Sequence, residues 1–534
     1  MIAFAALTGP LPKAGVVVVA ALVAVVMTAP LTRGPERSLR LRALAMLSAL
    51  VLAPVLLLTD IWNSPQLNIV HRHPLEAVVG AAVVIAALAA AAVVIARRPW
   101  LVAPAAVFAL PFRVPISTGA STAGGTTTAN LLVPLYFVVA AGALAWIYGA
   151  LRRRSKGSEE PPAPPPPPRA DDLIGWVLRL LALYIVLYGI QAWYSPKFEQ
   201  ALQNMVFFYV PFAVLLALLR DVEWDERVLR ACLGVTVALA VAFSFIGFFE
   251  YATKTVILSS KLAIANGLHT YFVVNSVFLD PDIFGRYLAV VMILLAVALI
   301  YELPQRVQVA VTLVLAVLWA GLVLTLSRSS LAALLVGLAA LAALRWKPGR
   351  ALVVAVVVVA LGAIAVAVSP TTFGLNQGLN GASSGRGGLV SGGLSLFGDR
   401  PVWGYGSGSF VTEYRRHKRL AATSVSASHT IPITIAAEQG LIGELAYLAF
   451  VISAIVCVVR RTRGDPVRSA VAAAFIALVF HTLLYADFLE DPTTWVLLAL
   501  GLALAPVPPG ARWGDRAARA GQVSPRPSTA AAGP

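Results

Sequence analysis

Histidine and arginine are the residue types in this chain whose spacing could do chemistry. His429 is followed by Thr430, nine residues, and Gly440-Leu441. Before it, Arg386 closes the run Ser383-Ser384-Gly385-Arg386. Pro401-Val402-Trp403-Gly404-Tyr405-Gly406-Ser407-Gly408 comes next, then Tyr414-Arg415-Arg416-His417-Lys418-Arg419. Arg286 lies just after Asp280-Pro281-Asp282, and Arg328 sits within Thr325-Leu326-Ser327-Arg328-Ser329-Ser330. A planar guanidinium binds phosphate oxygens in pairs, so Arg286, Arg328, Arg386, Arg415 and Arg416 together suit a diphosphate. An imidazole titrates near neutral pH and suits removal of a proton from a hydroxyl, which makes His429 the candidate base.

Plainer readings stand beside these. Arg286 at a span end can snorkel to the interface. Asp282 can simply cap its helix. Arg415 to Arg419 can be a solvated helix face, and His429 an ordinary loop histidine. Arg328 is harder to set aside, because an ionisable group in a tight hairpin at membrane depth is costly and tends to be functional.

The rest of the chain is a hydrophobic scaffold for these groups. The 534 residues are 59% hydrophobic and 12% charged, with a mean hydropathy of +0.83. A soluble domain is about a quarter charged. Repeated apolar runs of this length form membrane helices, since every backbone polar group in lipid must be paired within its own segment. The runs are continuous rather than alternating, which argues against a β-barrel. The expected fold is an all-α polytopic membrane protein with about 12–15 transmembrane helices. The runs include 101–112, 203–220, 350–369, 434–458 and 494–507.

The formal net charge of +16 follows from basic loops rather than from a nucleic-acid surface, because no soluble basic domain stands apart from the spans. Placing Arg33–Arg42, Arg97-Arg98, Arg152–Lys156, Arg345–Arg350 and Arg460–Arg463 in the cytoplasm lets every span alternate. The N-terminus then lies outside, and so does a long loop, 370–430. Residues 1–151 form an N-terminal transmembrane block, and 152–172 a cytoplasmic proline-rich linker of polyproline II type. The main transmembrane domain is 173–507, and 508–534 a disordered cytoplasmic tail. Cys232 and Cys457 read as small hydrophobes. No metal-ligand spacing, Walker loop or dinucleotide motif is present, so no metal or cofactor is expected.

Three segments in order resemble the O-antigen ligase and polymerase superfamily of bacterial membrane glycosyltransferases. They are Thr325–Ser329 followed by an apolar helix, Ser384-Gly385-Arg386 with Pro401–Gly408, and His429-Thr430 with Gly440-Leu441. The resemblance covers roughly 270–500. It implies a C-type glycosyltransferase fold in the bacterial plasma (inner) membrane, with an extracytoplasmic active site. It implies a polyprenyl (undecaprenyl) diphosphate-linked glycan as donor and a glycan or glycolipid hydroxyl as acceptor. Transfer would be metal-independent and, by direct displacement, inverting. Arg286 and Arg328 would hold the diphosphate and His429 would be the base. The chain departs from the family at Thr430, where asparagine or serine is usual, and at Asp280-Pro281-Asp282, where the family is Asn-Pro-Asn-like.

The competing reading is a polytopic transporter or a flippase for lipid-linked glycans. Such proteins place carboxylates or broken helices at mid-membrane. Here the ionisable exceptions inside spans are chiefly Arg179, Glu438, Glu444 and His481. A non-catalytic scaffold, with the long loop as a protein-binding surface, is the third.

Overall fold

The computed structural model describes residues 9–29, 35–61, 72–118, 127–155, 170–268, 271–346, 349–350, 353, 386–419 and 430–505. The expected span 350–369 apart from residues 350 and 353, the middle of the linker (156–169), the tail and His429 lie outside the described residues, and the two ends of the expected linker belong to helices.

The chain is a polytopic membrane protein. Among the described residues twelve helical segments are long and apolar enough to cross a bilayer, and Pro99–Ala109 and Pro492–Leu504 are shorter apolar helices. The N-terminal block contains α1 (Pro10–Thr28), α2 (Pro35–Ile61), α3 (Pro74–Arg97), α4 (Val102–Ala109) and α5 (Val133–Ser155). Between α4 and α5 the chain departs from the all-helical expectation. Strands β1 (Val114–Thr118) and β2 (Thr127–Leu131) pair antiparallel, with Val114 opposite Leu131. Both strands are rich in β-branched residues, which suit a pleated ribbon better than a helix.

After the linker come α6 (Ala170–Gln191), α7 (Phe198–Asn204), α8 (Val210–Arg220), α9 (Glu226–Thr253) and α10 (Ser260–Leu268). The expected span 203–220 is thus longer than its apolar run, and a π-turn at Met205–Tyr209 joins α7 to α8. Next are α11 (Pro281–Ile300), α12 (Gln305–Leu324) and α13 (Arg328–Arg345), then the short α14 (Arg386–Asp399) and α15 (Phe410–Lys418). The bundle closes with α16 (Ile431–Val459), α17 (Pro466–Leu484) and α18 (Pro492–Leu504).

One continuous apolar core runs from α1 to α18, with α10, α14 and α15 outside it. Small residues set the closest crossings, as expected where lipid gives no hydrophobic drive to association. Gly189 of α6 lies against Ala20 of α1, and Gly337 of α13 against Ile293 of α11 and Ala477 of α17. In contrast, α3 buries no side chain.

The two ends of the bundle differ in chemistry. At one end Arg42 pairs with Asp221 at 2.8 Å and donates to the Ala217 carbonyl, Tyr301 meets Ser469 at 2.7 Å, and Arg468 reaches the Arg460 carbonyl. The opposite end holds the N-terminus of α11, the α12–α13 hairpin and the α17–α18 loop; it is called the site end below.

Candidate functional site

The site end is built on the first turns of α11. Asp280 caps this helix, accepting from the Asp282 amide at 2.8 Å. Burial is the main cause that pushes the Asp280 carboxyl above the usual range, with the neighbouring Asp282 charge second. The loop leading in is fixed by Glu250 of α9, a wholly buried residue. Its carboxylate accepts from the amides of Asn275, Ser276 and Ile257 at 3.1, 2.8 and 3.1 Å.

The α12–α13 hairpin docks beside Asp282. Leu326 takes a left-handed backbone (φ 52°) to make the turn, and Ser327 caps α13 by accepting from the Ser330 amide. Asp282 Oδ1 accepts from the hydroxyls of Ser327 and Ser329, the latter at 3.0 Å. Ser330 donates to the Asp282 carbonyl at 3.1 Å, and His481 Nε2 lies 3.3 Å from the Ser330 hydroxyl. The hairpin comes this close because Gly285 has no side chain, since a Cβ there would meet the Ser330 hydroxyl at 2.7 Å. Arg328 is the first residue of α13 and is exposed. It therefore carries a cation at the positive end of a helix dipole, where an anion is favoured twice over.

Arg286 sits differently. It is buried, 2% exposed, and its Nη2 lies 2.8 Å from Asp491 Oδ2. Its Nη1 donates to the carbonyls of Ala486 and Asp487 at 3.4 and 3.3 Å. Asp491 in turn caps α18 through the Thr493 amide. Arg286 thus holds the α17–α18 loop, and snorkelling does not describe it. In the same loop, burial pushes the Glu490 carboxyl well above the usual range, with the adjacent Asp487 adding to the effect. Glu490 accepts from Asn204 at 3.2 Å.

At about 100° per residue, Asp282 and Gly285 face the hairpin, while Ile283, Tyr287 and Val290 face away from it. Arg286 lies on the border between these two flanks. The two candidate arginines therefore differ in setting: Arg328 starts the docked hairpin helix, and Arg286 sits at the edge of the α11 face that meets it.

The glycine-rich segment 401–408 proves to be a docking device. Gly440 (φ 65°, ψ −165°) interrupts α16, and the segment pairs with the opened backbone. Tyr405 and Gly406 donate to the carbonyls of Ala437 and Glu438 at 3.1 and 2.7 Å, and Leu441 donates to that of Pro401 at 2.7 Å. The Glu438 carboxylate accepts from the amides of Gly408 and Phe410 at 2.7 and 2.9 Å, so it caps the start of α15. Ser407 donates to the Tyr188 carbonyl of α6 at 2.8 Å.

Helices α14 and α15 pack on α16 through Leu396, Phe410, Tyr414 and Ala437. Arg416 is exposed and pairs with Glu413 at 3.0 Å, while Arg415 is half-buried. Arg386 opens α14; its side chain, like the whole of His429, lies outside the described residues. The long loop is therefore partly helical: α15 carries the helix face read at Arg415 to Arg419, whereas α14 was not anticipated. His417 on α15 lies 3.1 Å from the Ser395 hydroxyl and 3.5 Å from Asp399.

Several residues of the site end were not singled out from the sequence: Glu250, Arg113, Asp487, Glu490 and Asp491. Asp491-Pro492 is a helix-start signal of the same kind as Asp280-Pro281. Nothing in its spacing reveals that it pairs with Arg286, about two hundred residues earlier. Among the described residues no group of three or more His, Cys, Asp or Glu could hold a metal ion.

No curated protein matches the chain. Residues 311–448 match the O-antigen ligase family; the match runs from within α12, through the Arg328 hairpin and the docked glycine loop, into α16, and that part of the chain is similar to O-antigen ligases.

Proposed function

We propose that the protein is a membrane glycosyltransferase that moves a glycan from a polyprenyl diphosphate, undecaprenyl diphosphate in bacteria, to an acceptor hydroxyl. The reaction takes place at the site end, which faces outward if the basic loops at the opposite end are cytoplasmic. The observation that carries the reading is Arg328: a surface cation at the N-terminus of α13, fixed by Asp282 and three serines, within the family-matched segment.

In this reading the acceptor oxygen attacks the anomeric carbon while the bond to the diphosphate oxygen breaks. The hydroxyl proton passes to His429, and the leaving charge stays on the diphosphate. Arg328 stabilises that charge in a poorly hydrated setting, where fixed cations act most strongly. Arg386, Arg415 and Arg416 supply the basic surface that receives the diphosphate and the acceptor. Arg286 contributes through the α17–α18 loop it holds. A single displacement inverts the anomeric carbon, and no metal is required. The protein then lies in the plasma membrane of a bacterium, with a glycan or glycolipid as acceptor.

The test is glycan transfer from a polyprenyl-diphosphate donor by purified variants in proteoliposomes. His429→Ala is expected to lose about 10²–10⁴-fold in rate. Arg328→Lys is expected to fail as well, because lysine keeps the charge and loses the fork. Wild-type turnover by His429→Ala at normal abundance would sink the mechanism. Movement of the intact lipid-linked glycan across the bilayer, without transfer, would favour a flippase.

A further inference from the structure

Between the site-end terminus of α9 and the start of α11 the chain makes an excursion that carries the short helix α10. Three anchors fix it to the bundle. The Glu250 carboxylate accepts from Ile257 before the helix and from Asn275 and Ser276 after it. Asn266 pairs with the returning chain: its Nδ2 donates to the Val273 carbonyl at 2.9 Å, and its Oδ1 accepts from the Val273 amide at 3.0 Å. The buried Ser259 hydroxyl caps α10 by accepting from the Leu262 amide at 3.3 Å.

The polarity of this helix is reversed for an aqueous surface. Ser259 and Asn266 spend their polar groups on the chain itself, while Ile264 and Leu268, one turn apart, are 68% and 79% exposed. Ile257, Leu258 and Tyr271 in the flanking segments are exposed as well. A Cβ on Gly267 would meet nothing within 4 Å. A surface helix in water turns its apolar stripe to the core and its polar side to solvent. Helix α10 does the opposite, and it lies outside the apolar core.

What covers this face follows from where it is attached. Helix α9 is a span, and its Ala238, Ala242, Phe245 and Phe249 form an exposed apolar stripe. The stripe leads to Lys254, whose ammonium lies 3.6 Å from the centre of the Tyr251 ring and 5.2 Å from that of Phe272. Amphipathic aromatic rings beside a lysine mark the headgroup level of a bilayer. At nine residues, α10 is too short to cross the hydrocarbon, which takes about 20. The lipid-facing surface of α9 thus continues into exposed apolar side chains at the boundary of the bilayer. From Thr255 to Phe272 the sequence holds no Asp or Glu, so no carboxylate there opposes lipid phosphates.

We infer that α10 is an interfacial helix whose partner is the leaflet at the site end, with Ile264 and Leu268 among the upper acyl carbons and Lys254 at the phosphate level. The excursion also reaches the Arg328 hairpin: the Val274 amide donates at 3.3 Å to the carbonyl of Leu324, the last residue of α12. The depth of α10 in the leaflet therefore sets the height of that hairpin above the hydrocarbon.

The test is electron paramagnetic resonance power saturation on nitroxide labels at Ile264→Cys and Leu268→Cys. The full chain is used in phosphatidylcholine liposomes, with Cys232→Ala and Cys457→Ala removing the two free thiols. Leu445→Cys, on the exposed face of α16, is the lipid reference, and Lys418→Cys, exposed on α15, is the aqueous one. Labels at 264 and 268 are expected to match the lipid reference, with accessibility to oxygen severalfold above accessibility to water-soluble nickel ethylenediaminediacetate. Nickel accessibility equal to that at Lys418 would place the helix in water and overturn the proposal. Exclusion of both relaxers would mean that protein covers the face, either a second copy or another part of this chain, and would overturn it too. Glycan transfer is not read in this experiment, so either failure leaves the proposed function untouched.

Discussion

Gly404 and Gly440 cross with no side chain between them. A Cβ on Gly404 would strike the Glu438 carbonyl, and one on Gly440 would strike that of Val402. Both glycines also hold a left-handed backbone, at φ 65° each. The crossing is what lets the 401–408 segment pair with the opened turn of α16.

Gly404→Ala or Gly440→Ala should therefore undock the segment. Strained backbone alone costs about 1–3 kcal/mol per site, and the collision adds to it. Reduced membrane abundance and a lower melting transition are expected. Gly388→Ala is the control, since a Cβ there meets nothing within 4 Å. A wild-type transition in Gly440→Ala would contradict the docking.

Glu438 should be structural rather than a transport carboxylate. Both of its oxygens accept from backbone amides of the docked segment. Glu438→Gln turns one acceptor into a donor facing an N–H, at a cost of about 1–3 kcal/mol. Faster proteolysis at 400–419 is expected, with no change in any proton-dependent flux. A proton-coupled flux abolished by Glu438→Gln in an otherwise stable protein would revive the transporter reading.

The two arginines should separate in their effects. Arg286→Ala leaves Asp491 buried without its cation and should cost about 3–5 kcal/mol. Adding Asp491→Ala to Arg286→Ala should cost less than the sum of the two single changes, as a double-mutant cycle in detergent would measure. Arg328→Ala, at an exposed helix start, should barely move the melting transition yet abolish transfer. If both variants lose only stability, Arg328 has no chemical role.

Glu490 should make the α17–α18 loop pH-sensitive. Its folded-state pKa is raised by burial and by Asp487, so the folded state prefers the protonated form. The stabilisation is complete below the ordinary glutamate value of about 4.3 and is lost as pH rises through the raised value. Glu490→Gln should flatten that part of the profile and melt higher than wild type above it. Parallel profiles for the two proteins would remove Glu490 as the cause.

The spans were legible because long apolar runs have one solution in lipid. The hairpin at Arg328 was legible for a related reason: a cation flanked by serines between two apolar runs has no bland place to go. The partners of Arg286 were not legible. A buried ion pair between residues so far apart in sequence leaves no local pattern, and Asp491 looks like any helix cap. The glycine segment was visible as a motif but not as a clamp. Its role depends on the break at Gly440, and a single glycine inside an apolar run carries no sign of positive φ. The β1–β2 ribbon was overlooked because five-residue strands beside long helices are a weak signal.

The proline-rich linker divides the sequence, yet the structure does not divide there. Gly189 of α6 packs on Ala20 of α1, and Arg42 of α2 bonds to the Ala217 carbonyl within α8 and to Asp221 just after it. The peptide bond between the blocks is therefore dispensable for their recognition of each other. Two polypeptides cut within 156–169 and made in the same cell should find one another in the bilayer and co-purify as a complementing pair, whereas either half alone would present its mating surface to lipid or to quality-control proteases.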